Sequence, residues 1–434
     1  MPALSAYFPY FHWFSWAIVQ GVMLIGSISA FAAPSAVAAE DQPPRAAAVD
    51  YDAATDYPAG AVVRGTDGNA YRAVRRVKAK DPTTADESAW QLAHVAEDVV
   101  LDVPGRFKTI PAAWSFLSGA RIAAPATVKV LLAPGTYKLK EELPLGHAYG
   151  GQIVIAGVGP KPDRCSIEFA GTHGIAVRQG NSITLERLTI SEAGRQPAKN
   201  LAGLLLTDGA TAIVKDCAIK GFWSGFFVDN HSSLRATGCT IETGEGWTAV
   251  DVRNSSSAVF VDCRATRNLP AGSTFEGGAG FIAYANSSLY CDACAASGWP
   301  HGFHARCSSS AVLNDCTAKG NKQIGACAWQ GASLAVNGGT FSGSEIGIHV
   351  DGATSEINGA TVADNKTGLQ VFGTAYAVLA QKRSTFRGNA VAVLSNFGGK
   401  TYGMPPVYEG NDEDAKAWAP GGGARVEEQF LWNR

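Results

Sequence analysis

The sequence predicts an all-β chain, chiefly a right-handed parallel β-helix of about ten or more coils, with an amino-terminal helical cap and a small separate β module. Three observations carry that expectation. From about residue 165 to 395 a strand opening on Gly or Ala recurs, as in Gly174-Ile175-Ala176-Val177, Gly225-Phe226-Phe227-Val228, Gly302-Phe303-His304-Ala305 and Ala390-Val391-Ala392-Val393. A second column of mostly small residues follows it: Cys165, Leu188, Cys217, Cys239, Cys263, Cys294, Cys316, Gly339, Ala360 and Ser384. From Gly174/Leu188 to Gly325/Gly339 the two markers stay 14 residues apart in seven successive coils, while the period is mostly 21–24 residues and lengthens to 29 and 31 in two places. Random placement of small residues does not keep such a register.

A period near 22 residues means a coil of short strands and turns, whose edges and apolar faces are satisfied only by stacking at about 4.8 Å. No coil carries a leucine-rich-repeat signature, propeller blades are roughly twice as long, and helical arrays lack this Val, Ile, Thr and Ser content. Right-handedness follows from the general preference of parallel crossovers.

The elements fall in order along the chain. Residues 1–39 read as a secretory signal peptide: Trp16 to Phe31 is mostly apolar and uncharged, and Ala36-Val37-Ala38 has the small residues of a cleavage site. The alternative is an uncleaved membrane anchor, because residues 2–15 carry no Lys or Arg. The predicted location is secreted, periplasmic or cell-surface. Residues 50–95 form a small β module. Thr109 then caps a short helix with Pro111 in its first turn, which covers the open first coil. The β-helix is expected over 102–398, and 399–434 as a tail or distal cap, with Gly421-Gly422-Gly423 flexible and Val426–Trp432 folding back.

The nine cysteines are an odd number and match no zinc spacing. Five of the six column residues from Leu188 to Cys316 are Cys, which suits a stack of small apolar side chains, with thiols reduced or joined between neighbouring coils. Cys327 sits at an outward position and is expected to be partly exposed.

Each repeated strand sends a side chain outward and is followed by a second outward residue. Phe227, Asp229, Asp251, Arg253, Tyr284, His304, Arg306, Trp329, His349 and Asp351 thereby share one face, about 24 Å long over six coils. Two insertions, Ser191–Leu201 and Thr266–Ala279, leave one corner and are expected to wall this face around Phe227, Asp229, Asp251 and Arg253. The residue types suit a uronic-acid glycan. Arg253 and Arg306 are candidates to neutralise a carboxylate and so acidify the C5 proton; His304 and Tyr284 are candidates to move it. Phe227, Asp229, Asp251, Trp329, His349 and Asp351 are candidate substrate contacts. Asp229 with Asp251 is the alternative pair for a glycoside hydrolase. A net charge of −2 gives no field for nucleic acid. No cofactor or metal is expected, with Ca2+ as the alternative where Asp residues meet the face; oligomeric state stays open.

Gly105-Arg106-Phe107-Lys108-Thr109-Ile110-Pro111-Ala112-Ala113, then Ala133-Pro134-Gly135-Thr136-Tyr137, then the coil repeat, resemble the pectate-lyase-like superfamily of right-handed parallel β-helix carbohydrate proteins over about two-thirds of the chain. The resemblance implies the fold and a polysaccharide or cell-surface glycan partner. It leaves the reaction open among lyase, C5-epimerase, esterase, hydrolase and non-catalytic binding or structural protein. The aspartate motifs of pectin methylesterases, the Asn-Thr-Asp and Gly-His-Gly signatures of polygalacturonases and the Asp-Pro-His of alginate epimerases are absent. Residues 50–95 resemble small chitin- or cellulose-binding modules, which implies that Tyr57, Tyr71 and Trp90 form a small core and a sugar platform.

Overall fold

The computed structural model describes residues 48–418 except 86, 195–198, 272, 274 and 275. The predicted signal segment at 1–39 and the residues beyond 418, including the expected fold-back of Val426–Trp432, lie outside the described residues.

Three parallel sheets wind around one core. A back sheet of 13 strands runs from Val99–Val103 to Lys400–Gly403, a side sheet of 12 from Gly135–Leu139 to Val407–Glu409, and a front sheet of 12 from Leu143–Pro144 to Glu413–Trp418. Each turn contributes one strand to each sheet, and all pairings between turns are parallel, as in Thr240↔Arg264 and Arg264↔Ala295. Residues 400–418 complete a further coil, so the β-helix continues past the expected boundary at 398 instead of giving way to a tail.

The cysteine column lies where the back sheet turns sharply into the side sheet. The residue before each is left-handed: Asp216 (φ 51°), Gly238 (65°), Asp262 (51°), Ala293 (51°) and Asp315 (46°). Asp and Gly tolerate that conformation better than bulky residues. Each buried thiol donates back across its own turn, Cys217 to Lys215 O (3.3 Å) and Cys239, Cys263, Cys294 and Cys316 to the carbonyl two residues earlier (3.4 Å). Each of these carbonyls already accepts a backbone N–H from the preceding coil, so the small thiol adds only a weak second donor while fitting inside the tight turn. All nine cysteines are free. Cys327 is a correction: it occupies the outer column between His304 and His349, yet is fully buried and reaches Phe303 O.

The Gly/Ala marker reflects close approach of backbone. A Cβ on Gly302 would lie 2.5 Å from the carbonyl oxygen of Gly325, and a Cβ on Gly325 equally close to that of Gly347. In the last full repeat the marker is Ala392, not Ala390, because Gly368 stacks on Ala392. Two extra residues in the turn after Leu379 shift the register there.

Two polar columns were not expected. At the front-to-back corner Ser256, Ser287 and Ser309 each accept the backbone N–H of the serine one coil earlier, at 3.1, 3.3 and 3.0 Å. At the side-to-front corner Asn389 and Asn411 accept the N–H groups of Asn365 and Asn389 in the same way, at 3.1 and 3.0 Å. Buried turn donors that no sheet can pair are thereby satisfied coil by coil.

The amino-terminal cap is the helix Ile110–Leu117, with Thr109 accepting from Ala112 N at 3.2 Å. Its Phe116 packs on Phe107 of the first coil (5.0 Å) and on Tyr71 of the small module (6.2 Å). The short strand Arg121–Ile122 also extends the module's own sheet beside Trp90–Val95. Module, cap and first coil therefore share one apolar core.

Candidate functional site

The outer face of the front sheet brings the predicted residues into two adjacent columns. One reads Phe227, Asp251, Ile282, His304, Cys327, His349 and Gln370 up successive coils. The other reads Arg253, Tyr284, Arg306, Trp329, Asp351 and Phe372. Alternation puts both columns outside while Val252, Ala283, Ala305 and Ala328 between them fill the core.

Within the first column Asp251 is 1% exposed and lies in the fork of Arg253, with Nε to Oδ1 at 2.6 Å and Nη2 to Oδ2 at 2.5 Å. Burial raises its carboxyl above the ordinary range against the opposing pull of that guanidinium. Asp229 accepts from Asn254 Nδ2 (2.7 Å) and its neighbour Asn230 N (2.9 Å). The two carboxylates proposed for hydrolysis are thus engaged elsewhere, and Asp251 is not presented to the face. Arg253 lies over Phe227 at 5.0 Å and Tyr284 at 6.0 Å, and Arg306, one coil beyond Tyr284, lies over that same ring at 5.1 Å. Tyr284 therefore sits between two guanidinium groups. Arg306 makes no ion pair among the described residues.

His304 points outward as expected but is only 3% exposed. Trp329 and His301 cover it at ring distances of 4.5 and 5.1 Å, and His349 meets Trp329 from the next coil at 6.0 Å. Burial lowers the pKa of all three histidines, that of His301 to about 4. His304 Nε2, Arg306 Nε, Trp329 Nε1 and His349 Nδ1 are buried without a hydrogen-bond partner among the described residues. His301 was missed because the front strand begins one residue before the Gly302 marker. Among the described residues no group of His, Cys, Asp and Glu has the placement to hold a metal ion.

These neutral imidazoles set a pH dependence. Below their ordinary value of 6.5 the unfolded chain binds protons that the folded chain refuses, so stability falls as pH drops from about 6.5 towards about 4. Denaturant titrations across that range are expected to show this decline, and a smaller one in His301→Gln. An identical slope in wild type and variant would remove the assignment.

The two long connections leave the side-to-front corner, at 193–201 and 268–278. Two short corners between them hold Trp223 and Trp247, stacked at 6.2 Å and 10°. The second loop packs Gly277 on Trp247 and is tied down by Arg267, whose Nη1 donates to Gly277 O at 2.7 Å. This corner is at the start of the front strands, whereas Asp229 and Arg253 are at their far ends, roughly 16 Å away along the strand. The loops therefore border the opposite edge of the face from those two residues. Both tryptophans escaped notice because they lie outside the repeated strand.

Tyr57, Tyr71 and Trp90 are corrected as a sugar platform. They are 7%, 0% and 0% exposed, with Trp90 Nε1 donating to Lys80 O at 2.9 Å and its ring against Tyr57 at 5.7 Å. A module of this size needs its rings for its own core.

The right-handed beta helix region family matches residues 152–290 and 271–403. The chain belongs to that family. Among solved structures, this β-helix is similar to the A-module of the mannuronan C-5 epimerase AlgE4 of Azotobacter vinelandii, at 12% identity over 68% of this chain and 90% of that one, with a TM-score of 0.37. It is also similar to the catalytic domain of a GH87 alpha-1,3-glucanase (11% identity, 75% and 68% covered, TM-score 0.36). A pectin methylesterase from Aspergillus niger is a further similar structure (12%, 75% and 87%, 0.33). No curated protein sequence matches the chain.

Proposed function

We propose that this β-helix is an extracellular polysaccharide-processing enzyme, a lyase or C5-epimerase acting on a uronic-acid-containing glycan. The observation that carries the reading is Arg306: a guanidinium without a carboxylate partner among the described residues, against the half-buried ring of Tyr284 on the outer face. Arg306 pairs with the substrate carboxylate, and charge that builds there as the C5–H bond breaks is stabilised in place. Tyr284 exchanges the C5 proton, since it reaches the surface while His304 does not. In elimination the electron pair of the C5–H bond forms the C4–C5 double bond, the glycosidic C4–O bond breaks, and its oxygen takes up a proton, which leaves an unsaturated uronate. In epimerisation Tyr284 takes the proton from one face, and water supplies a proton to the other face of C5. His304, buried and neutral, leaves Arg306 as the cation of its coil.

The self-paired Arg253 favours a second reading, glycan binding without turnover. Incubating the protein with alginate, pectate, glucuronan and glycosaminoglycans separates the two. Absorbance of unsaturated product or exchange of C5 hydrogen is expected with at least one of them. Binding with neither signal would leave the second reading standing.

A further inference from the structure

The second outer column alternates in chemistry. Aromatic Tyr284, Trp329 and Phe372 occupy every other coil, and charged Arg253, Arg306 and Asp351 occupy the coils between. All six side chains are half-buried, and the last ring is extended outward by Phe397, 4.8 Å from Phe372 and 50% exposed. Rings in one column thus recur at about 10 Å. That is close to the advance of an extended 1,4-linked sugar chain over two residues, after which the same sugar face returns. Aromatic faces suit the C–H surfaces of sugars, and the groups between them suit carboxylates or hydroxyls.

The charged positions differ in sign. Arg306 fits an acidic sugar. Asp351, two coils further on, makes no ion pair among the described residues and would repel a second carboxylate at the equivalent place. Resting on the glycan reading above, we propose that the face binds an extended glycan parallel to the helix axis, one sugar per coil from Arg253 to Phe372, acidic at the Arg306 coil and uncharged at the Asp351 coil. The ligand class is therefore a mixed or partly esterified uronic-acid chain, and Asp351 is the residue that rejects a fully acidic one.

The test is calorimetric binding of oligogalacturonates of increasing length, fully acidic or partly methyl-esterified, to the full chain and to Asp351→Asn, Phe372→Ser and Trp329→Phe. For wild type, affinity is expected to rise with length until the oligomer spans the six coils, and the partly esterified series should bind at least tenfold tighter. Asp351→Asn should remove that preference by tightening the acidic series alone. Phe372→Ser should weaken only the oligomers long enough to reach its coil, a length dependence that a general loss of fold would not produce. Trp329→Phe, which shrinks the ring between the Arg306 and Asp351 coils, should weaken both series alike and leave the preference between them in place. An unchanged preference in Asp351→Asn, or no binding of either series, overturns the proposal. Because binding is read apart from turnover, the pattern can hold where no polysaccharide is processed, and turnover can persist where the pattern fails.

Discussion

Replacing Arg306 with Gln is expected to lower turnover of the uronate glycan by about 10²- to 10³-fold, the usual loss when one fixed group opposite developing charge is removed. The side chain holds no ion pair among the described residues, so the unfolding transition should barely move. Arg306→Lys should recover part of the rate, because an ammonium keeps the charge but loses the two-pronged fit to a carboxylate. Initial rates of product absorbance, read beside thermal unfolding of the same samples, check both halves. A rate within a few-fold of wild type for Arg306→Gln would remove Arg306 from the chemistry.

Arg253 is expected to behave in the opposite way. Its guanidinium satisfies a carboxylate that is 1% exposed. Arg253→Ala leaves that charge buried and alone, a change that costs about 3–5 kcal/mol of stability. With its partner gone, the folded pKa of Asp251 rises further above the unfolded value of 3.8. The folded state then holds a proton that the unfolded state releases, so the deficit shrinks as pH falls towards the carboxylate range and is full above the raised value. Adding Asp251→Asn should recover much of the loss at neutral pH. Denaturant unfolding of the two single variants and the double variant measures the coupling directly. A cost for Arg253→Ala below about 1 kcal/mol, within the range of exposed pairs, would show that the pair is not structural.

Much of the fold could be read from residue order because the physics repeats. Gly302 and Gly325 are small where one coil's backbone lies over the next, and Cys239 and Cys263 are small where the chain turns sharply, so spacing alone located the front strand and the back-to-side corner. The reading slipped at Ala390, where a longer turn broke the spacing while another alanine sat nearby. Alternation also assigned His304 and Asp251 to the outer face correctly. It could not assign their exposure, which depends on Trp329, His301 and Arg253 from other positions in the columns. Tyr71 and Trp90 failed for a related reason: an aromatic in a small module serves core and surface equally well until its neighbours are known.

The columns of serine and asparagine have a consequence for how such a protein changes length. Each rung supplies the missing acceptor for the rung below and receives its own from the rung above. A duplicated segment of one full period would enter this chain of mutual caps without leaving a polar group stranded, and would stretch the outer track by about 4.8 Å. Partial duplications would break the caps at both joints. Growth by whole rungs is thus the change this architecture accepts with least disturbance, and with it the reach of the face towards longer partners.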